Sequence, residues 1–107
     1  MTSAFGTLAV ADDRRELRDE VHYRARAFAP DARQLGFLVV NLSPHGLMAR
    51  CEKPFKLGDR LRVVLPVTGS VVAEVRWSLG GRVGCRFKRA IDLATYYELL
   101  ADLLKPR

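Results

Sequence analysis

The chain is poor in the residues that build metal centres, disulfide frameworks and acid–base pairs, with two cysteines, two histidines and one tryptophan among 107 residues. Cys51 and Cys85 each stand alone in an apolar alternating run, with no second thiol or histidine at metal-ligand spacing. They read as buried reduced thiols, which favours a reducing compartment; a disulfide between them requires that their strands be neighbours. His22 falls on a strand face and His45 in a turn, neither beside a nucleophile or an acid pair, so the chain does not read as an enzyme. The first ten residues lack the basic and apolar regions of an export signal, and no apolar run approaches the length of a membrane span. The expectation is a cytoplasmic protein without a membrane span.

What is present is enough apolar material, 49% of the chain, for one domain to bury a core without staples. Eighteen Lys plus Arg against twelve Asp plus Glu give a formal charge of +6. Most of the excess is arginine, whose planar guanidinium suits bidentate recognition of phosphates and base edges. An anionic partner is consistent with this, although a charge of this size is also what ordinary surface solubility supplies.

Residues 1–13 are small and mixed, and are expected to form a flexible N-terminal arm ahead of a domain over 14–107. From Val21 the chain alternates: Val21, Tyr23, Ala25 and Ala27 point one way, His22, Arg24, Arg26 and Phe28 the other. Leu35 to Leu42 reads as a largely buried strand closed by Ser43-Pro44-His45-Gly46, and Leu47 to Cys51 returns from that turn. Arg60 to Leu65 alternates again. Ser70 to Trp77 and Arg82 to Phe87 form a hairpin in which Gly80-Gly81 supplies the positive φ that such turns need.

After Asp92, a candidate N-cap, the period changes to that of a helix over about 92–104, with Leu93, Tyr96, Tyr97, Leu100, Leu103 and Leu104 on the apolar stripe. Six short strands, about 21–87, in sequence-adjacent hairpins plus one terminal helix predict a mainly β domain. A six-stranded antiparallel β-barrel with one C-terminal α-helix is the expected form, because closing the sheet removes exposed edges.

Two short clusters carry the chemistry. Arg14 and Arg18, in Arg14-Arg15-Glu16-Leu17-Arg18, are four apart, which brings them to one side whether the segment is helical or extended. A guanidinium can pair with two phosphate oxygens, with guanine O6 and N7, or stack on a purine. Asn41-Leu42-Ser43-Pro44-His45-Gly46 adds an amide, a hydroxyl and a residue without a Cβ. Either cluster alone is common: arginine-rich chains produce the first by chance, and any strand-to-strand turn uses the second.

In this order, one just before the first strand and the other closing the second, the pair resembles the signature of the PilZ domain family, Arg-x-x-x-Arg followed by Asp/Asn-x-Ser-x-x-Gly. The resemblance continues through Leu57-Gly58-Asp59, Val75-Arg76-Trp77 and Gly81-Arg82-Val83-Gly84-Cys85-Arg86-Phe87, and covers roughly residues 14 to 104. It implies a split, Greek-key type of six-stranded barrel that binds the bacterial second messenger cyclic di-GMP, with no further cofactor. Carried over residue by residue, Arg14 and Arg18 contact phosphate and guanine, Asn41 and Ser43 hold a guanine edge, Gly46 shapes the turn, and Arg15 adds a contact. An arginine just before the motif assists binding of two intercalated ligands; here Asp13 stands there, which favours one nucleotide per chain.

The resemblance further implies a receptor whose arginine segment is ordered by ligand and which signals through a protein partner not named by the sequence. The alternative within the family is a degenerate domain acting as a nucleotide-independent interaction module. A basic barrel for single-stranded nucleic acid would place aromatic platforms beside its charge, and only Phe28 and Trp77 are candidates, so no nucleic acid polymer is expected as partner.

Overall fold

The computed structural model describes residues 18–106. Its elements are β1 (Asp19–Phe28), β2 (Gln34–Ser43), β3 (Gly46–Arg50), β4 (Arg60–Leu65), β5 (Gly69–Leu79), β6 (Arg82–Phe87) and one helix, α1 (Leu93–Leu103). All strand pairings are antiparallel, and the sheet closes in the order β1-β2-β3-β6-β5-β4 with β4 back on β1. The strands β4, β1, β2 and β3 lie side by side in that order, which is a Greek key. The expected barrel and its C-terminal helix are both present.

Alternation explains the interior. Ala25 and Ala27 of β1, Phe37 and Val39 of β2, Leu61 and Val63 of β4, Ala73 and Val75 of β5 and Val83 of β6 are all buried, while the residues between them are exposed or half-buried. On the outside of the β1–β4 seam the Arg62 guanidinium lies 4.6 Å from the Phe28 ring centroid, covering the one aromatic that β1 turns outward. At the tip of the β5–β6 hairpin Gly80 and Gly81 both have positive φ, 61° and 77°, the conformation of a two-residue turn that follows the twist of its strands.

Cys51 and Cys85 are buried free thiols on or beside the neighbouring strands β3 and β6. Cys85 is paired with Leu47, whereas the Cys51 amide donates to Gly81 O, four residues further along. That offset is roughly 13 Å at the rise of a strand, well beyond the reach of a disulfide. Burial, with a smaller contribution from Cys51, pushes the Cys85 thiol up to about 12, so it stays protonated and unreactive.

Asp92 caps α1, its carboxylate accepting from the Thr95 amide at 3.5 Å, and hydrogen bonding from the Thr95 side chain first, then from that amide, holds the Asp92 carboxyl below its ordinary value. The buried face of the helix differs from the expected stripe. Tyr96, Leu99 and Leu103 are buried and Leu100 is half-buried, but Leu93, Tyr97 and Leu104 are exposed. The barrel offers the helix one narrow contact near the start of β1 and the end of β2. Only the 96-99-103 line reaches it, so Leu99 replaces Tyr97 at its centre. The Tyr96 hydroxyl secures the join, lying 2.5 Å from Asp19 Oδ2 and 3.0 Å from Leu42 O.

Candidate functional site

The same end of the barrel holds the second sequence cluster. Strand β2 puts Leu35, Phe37 and Val39 inside, so strict alternation would also turn Asn41 inward. The register shifts between Val39 and Asn41 against β3, after which Leu42 is the buried residue and Asn41 is half-buried on the outer side. There its Oδ1 accepts from Arg18 Nη1 at 3.2 Å. The arginine that ends the first cluster and the asparagine that opens the second are thus joined across 23 residues of sequence. Arg14 and Arg15 lie outside the described residues.

Ser43 and Gly46 flank the turn between β2 and β3 and both line the cleft described below. Ser43 is only 1% exposed; its hydroxyl accepts from the His45 amide at 3.3 Å and donates to Gly46 O at 3.5 Å, bracing the Pro44-His45 turn. The turn is held from outside as well: Phe87 N donates to His45 O and Ile91 N to Pro44 O, both at 2.8 Å. A Cβ on Gly46 would lie 2.2 Å from Cys85 O, so the glycine is required by the approach of β6.

A second bulge supplies residues that alternation does not anticipate. Ala73 and Val75 face the core, and continuing the period would send Trp77 inward. Instead the register shifts between Val75 and Trp77, and both Arg76 and Trp77 emerge on the outside. The Val75 backbone is bonded on its other side to the β3–β4 loop, donating to Asp59 O and accepting from Gly58 N, each at 2.8 Å. Trp77 lies over Gly84, where a Cβ would come within 2.0 Å of the indole Nε1.

These features enclose a cleft of about 260 Å³ lined by Arg18, Ser43, Gly46, Arg76, Trp77 and Arg86 among others. Three guanidinium-bearing residues, a half-exposed indole and a glycine-floored strand pair form its walls, with Asn41 at the Arg18 side. Arg76, Trp77 and Arg86 are the charged and aromatic lining residues that come from outside the two clusters. In the sequence Arg76 and Trp77 stand out by their place in the wider resemblance, Trp77 also as a candidate aromatic platform, and Arg86 by its place in the final glycine-rich strand.

The PilZ domain model matches residues 12–105, nearly the whole chain, and the chain belongs to the PilZ domain family. No curated protein matches it. PilZ domains generally bind cyclic di-GMP and are binding rather than catalytic domains. Among the described residues no helix is long and apolar enough to cross a membrane.

Proposed function

We propose that this chain is a cyclic di-GMP receptor whose binding site is the cleft between the Arg18–Asn41 bond and Trp77, and which signals through a protein partner. The observation that carries the reading is the 3.2 Å contact between Arg18 and Asn41, which joins the two clusters at one wall of an arginine-lined cleft. Two negatively charged phosphodiesters are met by guanidinium groups, whose charge-assisted bonds are the strongest available to a neutral-pH surface. The Trp77 indole offers a stacking face for a guanine, and Arg76 and Arg86 stand where O6 and N7 of that base could be read.

In this reading Asn41 exchanges its bond with Arg18 for the ligand, and Arg14, Arg15 and Arg18 together close over the phosphates. Fixing that segment creates a surface absent without ligand, a recognised mode of switching. Ser43 and Gly46 act on the ligand through the turn they hold rather than by direct grip. Asp13, preceding the arginines, would repel a second nucleotide, which favours one per chain.

Calorimetric titration with cyclic di-GMP, with GTP as control, tests this. Saturable binding near one equivalent is expected, and Arg18→Ala should weaken it about tenfold or more, the loss of a charge-assisted bond of roughly 1.5–3 kcal/mol. No binding by folded protein, or unchanged binding by the Arg18 variant, would remove the assignment.

A further inference from the structure

A second, larger groove crosses the outside of the barrel beside the first. Its core is one unbroken cross-strand row: Arg24 of β1 is paired with Leu38 of β2, Leu38 with Arg50 of β3, Arg50 with Arg82 of β6, and Arg82 with Leu79 of β5. Arg24, Arg50, Arg82 and Leu79 are exposed and Leu38 half-buried, so the row lies on the outer face of five consecutive strands. Together with Trp77 at one side it lines an open groove of about 890 Å³. Among the described residues none of the three arginines has an ion-pair partner.

This arrangement is unfavourable in isolation. Like charges directly opposite each other on neighbouring strands repel, and Arg50 and Arg82 are such a pair. Leu79 is 79% exposed at the end of the row, and Leu38 presents further apolar surface between Arg24 and Arg50. Uncompensated cations flanking aliphatic ground are complementary to carboxylates alternating with apolar side chains. The row lies on the outer face of strands that are each bonded to their neighbours, so a partner there must be read through side chains.

We infer that the Arg24–Arg50–Arg82 row, with Leu38 and Leu79, is the docking surface for an acidic, aliphatic-anchored segment of a partner protein. Arginines take the carboxylates bidentately, and Leu79 and Leu38 receive the apolar anchors. A nucleic acid strand is less well matched, since the groove has one indole and aliphatic ground where successive bases need aromatic platforms. The inference rests on the receptor reading only in taking the chain to act through a partner; it does not require the nucleotide.

The test uses the full chain and a short fluorescein-labelled peptide alternating glutamate with leucine, compared with a glutamate–serine peptide, oligothymidine and phosphatidylglycerol vesicles. Anisotropy should show that the glutamate–leucine peptide binds best, with amide shifts centred on Leu38, Arg50 and Arg82. Binding should fall about tenfold or more in Arg50→Glu/Arg82→Glu and measurably in Leu79→Ser, as expected where desolvated charge pairs and a buried anchor act together. Absence of binding, shifts elsewhere on the barrel, equal binding of the glutamate–serine peptide, or tighter binding of oligothymidine or vesicles would each overturn it. The amide shifts of the unaltered protein decide the matter even if the charge-reversal variant fails to fold. A parallel cyclic di-GMP titration of the unaltered protein keeps the two readings separate, because loss of the nucleotide site leaves the peptide result standing.

Discussion

The Trp77 indole occupies the space that a side chain at position 84 would need: an added Cβ would sit 2.0 Å from Nε1 and 2.4 Å from Cε2. Gly84 is therefore the floor on which the cleft's indole wall rests. Gly84→Ala should displace a side chain that is already 43% exposed and can swing outward, so the cost to folding is small. The chain has one tryptophan, which makes intrinsic fluorescence a direct readout. The expected outcome is a red-shifted emission and cyclic di-GMP affinity lowered by about 1–3 kcal/mol, the worth of a base–aromatic stack.

Gly46 makes the opposite case. The atom in its way is the backbone oxygen of Cys85, 2.2 Å from an added Cβ, and a strand backbone cannot rotate aside as an indole can. Gly46→Ala should destabilise the fold by about 1–3 kcal/mol through overpacking, read as a lower urea midpoint. Any loss of nucleotide binding in this variant should track the fraction unfolded, whereas in Gly84→Ala it should appear in fully folded protein.

Tyr96 ties the helix to the barrel through a hydroxyl shared between Asp19 and Leu42 O. Tyr96→Phe keeps the buried ring and removes only that oxygen, leaving a buried carbonyl with one partner fewer. A loss of about 1–3 kcal/mol is expected, measured by denaturant unfolding, with the barrel's circular dichroism unchanged.

The Asp92 cap gives a pH dependence of known sign. Its carboxyl is held below the ordinary 3.8 in the folded chain, chiefly by its bond with Thr95, so the charged form is favoured by folding. The stabilisation is complete above the unfolded value and is lost as pH falls through the lowered folded value. Asp92→Ala should therefore be less stable than the parent near neutrality, and the two melting temperatures should converge as the solution is taken to strongly acid pH.

Much of the architecture could be read from alternation alone. β4 and β6 fall where the period-2 runs place them, and the glycine pair at 80–81 announces its turn because only a positive φ follows the strand twist there. The limits of alternation are where the site lies. Asn41 and Trp77 would both be assigned to the interior by parity, and each is turned outward by a register shift that depends on the partner strand. The same holds for the arginine row: outward orientation is local information, but the alignment of Arg24, Arg50 and Arg82 exists only once register is set. On the helix, the apolar pattern is wider than the surface that receives it, which is why Leu99 is buried and Leu93 and Tyr97 are not. Ser43 and Gly46 were legible as a turn, and their bracing of it against β6 required the neighbouring backbone to be seen.

Trp77 borders both clefts, as a wall of the smaller and an end of the larger. One indole cannot adopt two orientations at once, so a guest that fixes it on either side alters the landscape offered to the other. For the two proposed guests thermodynamic linkage would make that influence mutual: whatever factor the dinucleotide imposed on a protein companion, the companion would return to the dinucleotide. Two guests would in that way be coupled through the rotamer of a single ring.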